Sequence, residues 1–201
     1  MKKSILWVVS FLLFLSVGYA EENKCQVLVV YHSVTGNTQL MAEAVAEGVR
    51  RVEGVEVKLR TVEEATTADV LEADAILVGS PVYNANVVPE VQQFINNWPF
   101  KDTPLKNKLG AAFVTAGGIS AGEEITMLSI LHSMLIYEMI VVGGAGWQSA
   151  FGASAIVEEK PFDQTGESRP IAEHFLDKGR NLGERVAGLA KKFKTAEVSA
   201  P

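Results

Sequence analysis

A six-residue turn near the start of the chain has the side chains and the backbone freedom to hold an anionic group. The turn is part of the segment YHSVTGNT, which directly follows the apolar run CQVLVV. Its residues are Ser33, Val34, Thr35, Gly36, Asn37 and Thr38. Three hydroxyls and one amide can donate hydrogen bonds, and glycine lets backbone N–H groups approach a ligand closely. A following helix would add its positive end. Helix capping needs only one such residue, so the donor density favours a phosphate site over a cap alone.

The residue spacing in this turn limits the classes of phosphate ligand that it could bind. It matches neither G-x-x-x-x-G-K-[ST] nor G-x-G-x-x-G, and residues 33–38 contain no lysine that could meet a triphosphate. A monophosphate is therefore the better fit.

Two later turns carry groups that suit a flat ligand. In GSPVYNAN, Tyr83 could lie against a planar ring, and in VTAGG the paired glycines could turn N–H groups toward a ligand edge. Taken alone, a loop tyrosine can equally cover the end of a sheet, and Gly-Gly can serve only to turn the chain. The candidate residues are Pro81, Val82, Tyr83, Asn84, Thr115, Ala116, Gly117 and Gly118.

Short β-rich apolar runs alternate with amphipathic stretches along the chain. We predict strands over residues 25–32, 55–60, 73–81, 108–118 and 139–146, and helices over residues 38–52, 89–97, 123–137 and 170–193. This alternation predicts one α/β domain with a parallel sheet and helices on both faces. The three turns then share the carboxyl edge of the sheet, where such folds bind ligands. Residues 143–169 are predicted to form one long irregular loop.

The amino terminus has the pattern of an export signal. A basic start, an apolar stretch and the small residues VGYA predict a signal peptide over residues 1–20, cleaved after Ala20, and hence a periplasmic protein. The alternative is a membrane anchor formed by residues 5–20, although this run is shorter than the about 20 residues that span a bilayer. Residues 21–194 are predicted to form the domain, and residues 195–201 a flexible tail.

Charge and cysteine content exclude several classes of function. Without Lys2 and Lys3, the 18 basic residues fall to 16 against 24 acidic ones, a formal charge of −8. This acidity disfavours nucleic-acid binding and suits a neutral substrate or a positively charged protein, or it serves solubility alone. Cys25 is the single cysteine, so we expect no intrachain disulfide and no cysteine-ligated metal; it is predicted to open the first strand.

The three turns together resemble those of flavodoxin-like proteins, and in particular those of the NAD(P)H:quinone oxidoreductases of the tryptophan-repressor-binding-protein (WrbA) type. S-x-T-G-N-T resembles their phosphate loop. Further similar segments are GSP, TAGGISAGEE, TMLSILHSMLIYEMIVVG, FGAS and GERVAGLA, so that the resemblance spans residues 27–193. It implies a doubly wound, five-stranded parallel sheet in the order 2-1-3-4-5.

The resemblance also implies a cofactor and a reaction. Residues 33–38 would hold the phosphate of FMN, and residues 81–84 and 115–118 would flank its ring. NAD(P)H would be the co-substrate and a quinone the acceptor of two electrons. A homo-oligomer, either dimer or tetramer, is implied as well, whereas no metal is.

The chain departs from this family at three places. First, Tyr137 stands where the family has a histidine beside the flavin, and it becomes the catalytic candidate. The family's substrate-side tryptophan, which is not one of these departures, falls near Trp98 or Phe100. Tyr83 and Asn84 replace an arginine–aromatic pair, and the segment between residues 143 and 151 is shortened. These departures affect the reaction more than FMN binding.

Two alternatives to the quinone oxidoreductase stay open. The first is a flavodoxin-type electron carrier that docks redox proteins and has no substrate turnover of its own. The second is an exported binding domain that has lost FMN. A hydrolase is disfavoured because G-x-S-x-G does not occur in the sequence.

Overall fold

A computed structural model describes residues 24–160 and 171–199, with side chains of the last helix up to residue 196. The predicted signal peptide, the alternative anchor and the last two residues of the predicted tail lie outside the described residues. Within the described ranges, the helices are too short or too polar to cross a membrane.

The central sheet has the predicted parallel order. Its main strands are β1 (Cys25–Tyr31), β2 (Val55–Thr61), β3 (Ala75–Tyr83) and β5 (Leu109–Ala116). They lie in the order β2-β1-β3-β5, and a two-residue strand, β6 (Ile140–Val141), closes the path beyond β5. Because β1 lies between β2 and β3, the chain reverses its direction of progress across the sheet at β1 and β3, which is where such folds form a ligand crevice.

The fifth position of the sheet is divided between two short strands. β6 pairs with Leu109 and Gly110, and β7 (Ala153–Ile156) pairs with the later part of the same strand, residues 113–116. A 3₁₀ turn (Trp147–Ser149) lies between the two. The prediction of one strand over residues 139–146 is therefore wrong in extent, and so is the prediction of an unbroken loop over residues 143–169.

Strand β3 runs further than the sequence suggested. It continues to Tyr83 and pairs antiparallel with β4 (Asn86–Val87). Asn84 and Ala85, with φ of 51° and 58°, form the two-residue connection, and positive φ at both positions is typical of a tight hairpin turn. The second candidate turn is thus the tip of a hairpin.

The helices lie on both sides of the sheet. They are α1 (Asn37–Arg50), α2 (Thr67–Glu72), α3 (Pro89–Asn96), α4 (Glu123–Ile136) and α5 (Glu173–Ser199). The sequence did not predict α2, which has only six residues. A reciprocal capping box fixes its start, since Thr66 Oγ1 accepts from the Asp69 N–H and the Asp69 carboxylate accepts from the Thr66 N–H.

Alternate residues of the strands face two separate cores. Along β1, Val27 and Val29 pack with α1 and α5, whereas Leu28 and Val30 pack with α2, α3 and α4. Burial on both faces explains the continuous apolar runs in the sequence. Cys25 opens β1 as predicted, and burial raises the pKa of its thiol to about 12, which makes it unreactive at neutral pH.

Candidate cofactor-binding site

Three segments come together at the carboxyl edge of the sheet. We call them the first loop (residues 33–38), the hairpin turn (residues 82–86) and the third loop (residues 117–122). They follow β1, close the end of β3 and follow β5, respectively, and these strands are neighbours in the sheet. The sequence prediction that the three turns share one edge is therefore confirmed.

The first loop is ordered by its own side chains. Ser33 Oγ accepts from the Gln39 N–H at 3.2 Å, and Asn37 Nδ2 donates to Thr35 Oγ1 at 3.2 Å. Gly36 begins the helix with a φ of +89°, a conformation that side chains disfavour. Part of the capping interpretation is thus correct, because Ser33 satisfies one N–H of the first helical turn.

The backbone donors of the first loop are unused. Within the described chain, no backbone N–H of residues 33–38 donates a hydrogen bond to a protein oxygen. These groups surround the amino end of α1, where the helix dipole adds positive potential. Several N–H donors around a helix start form an anion site, so the backbone supports the phosphate interpretation more directly than the side chains do.

A buried pair of hydroxyls joins the first loop to β5. Thr38 Oγ1 lies 2.8 Å from Thr115 Oγ1, and both side chains are almost completely buried. Each hydroxyl has one proton, so one of the two donates to the other while its partner's proton stays available. Only one hydroxyl proton of this pair is therefore left to donate to a ligand, although both threonines were predicted as ligand donors. In the structure the pair connects the first loop to β5.

The hairpin turn packs directly against the third loop. Gly122 has a φ of +103°, and a Cβ built on it would lie 2.5 Å from Ala85 Cα. Glycine is therefore required at this position for two reasons, backbone conformation and space. The sequence showed a turn-forming glycine here but not the contact, which depends on the hairpin.

The four predicted residues of the second turn have different surroundings. Tyr83 and Asn84 are exposed at the tip, and Tyr83 as a whole residue is 48% accessible. Pro81 is buried and pairs with Thr115 across β3 and β5, and Val82 is half-buried between both cores. Tyr83 and Asn84 are consequently able to contact a ligand, whereas Pro81 supports the hairpin from within the sheet.

Two glutamates that the sequence analysis did not single out flank the third loop. Glu159 Oε2 accepts from the Ile119 N–H at 2.6 Å, and the Glu158 N–H donates to Gly117 O at 3.1 Å. They follow β7, so their position depends on a strand that the sequence analysis treated as loop. The alternation in ASAIV before this Glu-Glu pair was the signal that could have located them.

The rim of the site is acidic. Glu63 Oε1 lies 3.0 Å from His32 Nδ1, just before the first loop. Burial, followed by the nearby carboxylates Glu43, Glu64 and Glu63, raises the pKa of Tyr31. Together with Glu158 and Glu159, these groups surround the loops with negative charge.

The structure does not bring the remaining candidates to this site. Tyr137 O–H donates to Ile95 O at 2.9 Å, and its ring lies 5.4 Å from that of Trp98 and 5.6 Å from that of Phe100. The neighbouring Glu138 O accepts from the Asn107 N–H, which places this aromatic cluster beside the start of β5. Thr115 is six residues further along β5, about 20 Å away.

The prediction that Tyr137 lies beside the flavin therefore disagrees with the fold of the single chain, as does a substrate-side position for Trp98 or Phe100. The physical reason is the direction of α4, which starts at the carboxyl edge of the sheet and ends at the opposite edge. Alignment of a sequence position with a relative's site residue does not account for this direction.

The residues at the carboxyl edge fit the group that the resemblance implied. FMN carries a monophosphate, which the unused N–H groups and hydroxyls of the first loop can bind without a cation. Its planar ring suits the space next to an exposed tyrosine and the partly buried, side-chain-free backbone of Gly117 and Gly118. Among the described residues there is no cluster of metal-ligating side chains.

Comparison with known proteins agrees with the fold. Residues 28–144 match the family described as "Flavodoxin domain". A flavodoxin of Aquifex aeolicus (strain VF5) is 36% identical over 170 residues, covering 81% of this chain and 85% of that protein. An NAD(P)H dehydrogenase (quinone) of Geotalea uraniireducens (strain Rf4) is 32% identical over 201 residues, covering 84% and 98%.

Solved structures share the same architecture. A flavodoxin, WrbA-like protein from Agrobacterium tumefaciens superposes with a TM-score of 0.67 at 22% identity, covering 84% of this chain and 98% of that one. At this identity the likeness speaks for the fold alone. The sequence matches carry the assignment further: the chain belongs to the flavodoxin family.

Proposed function

We propose that this protein binds FMN at the carboxyl edge of its sheet and transfers electrons through it. The proposal rests on one observation: the three loops lie together at this edge, next to backbone N–H groups of residues 33–38 that have no acceptor in the described chain. The first loop is tied to β5 through Thr38 and Thr115, and the hairpin turn touches the third loop at Gly122. The phosphate would be bound by residues 33–38, and the ring would lie between Tyr83 and the backbone of Gly117 and Gly118.

Bound FMN would supply the redox chemistry, and the protein would supply binding and orientation. The Thr35 hydroxyl and the backbone of the first loop would donate to the phosphate. Tyr83 would cover one side of the ring, and Glu159 fixes the third loop by accepting from the Ile119 N–H. Electron transfer through a flavin needs no general base in the loops, in agreement with their composition.

For the reaction, we propose two-electron transfer from NAD(P)H to a quinone. Support comes from relatives named NAD(P)H dehydrogenase (quinone), which are 30–32% identical and align over 98–99% of their own length. Tyr137 lies at the edge of the sheet opposite the three loops. We therefore assign no proton-transfer role to any side chain of the single chain.

An electron carrier of flavodoxin type is the second candidate. The acidic rim favours it, because carboxylates around the loops would attract a positively charged redox protein and repel the phosphates of NAD(P)H. Relatives named flavodoxin are 32–36% identical. A binding domain without FMN is the third alternative.

One experiment separates these functions. The purified protein is reconstituted with FMN, and oxidation of NADH and of NADPH is followed with and without benzoquinone. Quinone-dependent turnover supports the oxidoreductase. Stoichiometric FMN without turnover, together with electron transfer to a basic redox protein, supports the carrier. Thr35→Ala should lower turnover at limiting FMN and regain it with excess FMN, whereas Thr67→Ala on α2 should behave like the wild type.

We also propose that the protein is exported. The basis is the sequence pattern of residues 1–20, which lies outside the described structure. The test is cell fractionation with mass measurement of the mature protein. A periplasmic species starting at Glu21 agrees with the proposal, a membrane-bound species with residues 1–20 intact indicates the anchor, and an uncleaved cytoplasmic species contradicts both.

A further inference from the structure

A cleft between α2 and α3 lies apart from the three loops. It has a volume of about 360 Å³, and its floor includes Val70, Phe94, Trp98 and Pro99. Protein interiors are closely packed and leave few spaces larger than a water molecule, whereas sites for small ligands measure about 300–1,000 Å³. The cleft is therefore large enough to hold a small organic molecule.

The floor of the cleft is apolar and largely aromatic. The rings of Phe94 and Trp98 lie 5.8 Å apart and are perpendicular to each other. Val70 of α2 lies in the same cleft, and all three side chains are buried. Aromatic rings pack well against other rings in edge-to-face or offset geometry, so this floor suits a flat apolar group.

The charged side chains of the cleft lie at one of its ends. Glu63 follows β2 and Glu90 lies in the first turn of α3, so both are near the carboxyl edge of the sheet. The amides of Gln93 and Asn97 hydrogen bond to each other at 3.0 Å further along α3. The described residues that line the cleft include no Lys and no Arg. The cleft thus has an acidic end and an apolar end.

The sign of the charge at the acidic end follows from the sizes of the contributions. The starts of α2 and α3 each contribute a positive charge of about half a unit, which two carboxylates outweigh. Glu63 also contacts His32, whereas Glu90 has no hydrogen bond or ion pair within the described part of the chain. The Glu90 carboxylate is therefore free to bind a positively charged group of a ligand.

We propose that the cleft binds a small aromatic amine, with its ammonium group at Glu63 and Glu90 and its ring against Phe94 and Trp98. Glu90 precedes Phe94 by four residues, a rise of about 6 Å along the helix. A chain of two carbon atoms can join a ring and an ammonium group over this distance. None of these residues belongs to the three loops, so the site is separate from the proposed flavin site and does not depend on it.

The test is an NMR titration of the purified protein, without FMN, that follows the indole N–H signal of Trp98. Its assignment comes from the signal that disappears in Trp98→Phe. This N–H has no acceptor within the described residues, so its chemical shift responds mainly to groups that pack on the ring. We expect saturable binding of phenethylamine with a Kd on the order of 1 mM. Phenylacetate has the opposite charge and ethylamine lacks the ring, and each should bind at least about tenfold more weakly.

Variants of the two helices test the location. Glu90→Gln should weaken binding of phenethylamine about threefold, as expected for the loss of an exposed ion pair, and Thr67→Trp on α2 should abolish it by filling the cleft. Their matched controls are Glu53→Gln, at an exposed carboxylate before β2, and Ala68→Trp, at an exposed position of α2 outside the cleft. Both controls should bind like the wild type. So should Tyr83→Ala, because the proposed ring site for flavin lies elsewhere.

Three results would overturn the proposal. The first is a shift of the Trp98 signal that does not saturate, and the second is equal affinity for phenethylamine and phenylacetate. The third is an affinity that Glu90→Gln and Thr67→Trp leave unchanged while Tyr83→Ala reduces it, since the amine would then occupy the site formed by the three loops. Melting temperatures equal to that of the wild type establish that each variant is folded.

Discussion

Thr38 at the start of α1 and Thr115 near the end of β5 are 77 positions apart in the sequence, yet their hydroxyl oxygens lie 2.8 Å from each other in a buried contact. This bond joins the first loop to the strand that carries the third loop. A buried hydroxyl without a hydrogen-bond partner lowers the stability of the fold. Each of these two threonines supplies the partner that the other one needs. The contact therefore fixes the distance between the phosphate side and the ring side of the proposed site.

We expect a double-mutant cycle to detect this bond. Thr38→Val and Thr115→Val each keep the shape of the side chain but leave one buried hydroxyl alone, so each should lower the free energy of unfolding by about 1–3 kcal/mol. The double variant should lose clearly less than the sum, because no orphaned hydroxyl remains. Urea unfolding without FMN, followed by tryptophan fluorescence, gives the three values. Additive losses would mean that the two hydroxyls do not interact.

Glycine substitutions should separate backbone strain from lack of space. Gly122→Ala should destabilise by at least about 3 kcal/mol, since it combines a positive φ with a clash against Ala85. Gly36→Ala has the strain without any neighbour and should cost about 1 kcal/mol. Gly188→Ala, inside α5 with open space around it, should stabilise by about 0.5–1 kcal/mol. Thermal unfolding measures all three, and equal losses at Gly122 and Gly36 would refute the contact between the hairpin turn and the third loop.

Acid should remove the contribution of Asp69. Hydrogen bonds from the Thr66 N–H and hydroxyl, followed by one from Lys58, lower the pKa of this carboxyl from 3.8 to about 2. A lowered pKa means that the ionised form stabilises the fold above the unfolded value, and that this stability disappears as the pH falls through the folded value. The contribution near neutral pH is about 2 kcal/mol.

The corresponding measurement is the free energy of unfolding of Asp69→Asn between pH 7 and pH 2. We expect a loss of about 2 kcal/mol at pH 7 that shrinks toward zero in acid. Asp102→Asn replaces an exposed carboxylate and should change stability by no more than about 0.5 kcal/mol. If the loss of unfolding free energy in Asp69→Asn were the same at every pH, the cause would not be the missing negative charge.

Much of the sheet could be predicted because parallel strands buried on both faces leave a plain record in the sequence. The run CQVLVV and the later apolar runs located β1, β3 and β5, and their alternation with helices indicated a parallel sheet. The order of the strands was implied by the resemblance to flavodoxin-like proteins. The divided fifth position could not be read in this way. Neither β6 nor β7 is long enough to show a period of two, and each is defined by its pairing with β5 rather than by its own residues.

The site shows the same division between local and non-local information. Residues 33–38 could be identified because all their chemistry lies in one turn. In contrast, the position of Tyr137 depends on the length and direction of α4, and that of Glu159 on β7. The contact between Ala85 and Gly122 depends on a hairpin whose turn lacks glycine, so the usual sequence signal for it was missing.

Removal of a single phosphate donor should weaken FMN selectively. Thr35→Ala should lower the affinity for FMN roughly tenfold or more, as expected for a hydrogen bond to a charged group. Its affinity for riboflavin, which has the same ring but no phosphate, should not change. Thr67→Ala should alter neither affinity. An equal loss for both flavins would indicate that Thr35 shapes the loop and does not touch the phosphate.

The most direct test of the account is a parallel titration of the purified protein with FMN and with riboflavin, followed by quenching of flavin fluorescence. We predict one FMN per chain and markedly weaker binding of riboflavin, because the unused N–H groups of residues 33–38 require a phosphate. Absence of FMN binding, or equal affinity for the two flavins, would contradict the central claim that the first loop is a phosphate site.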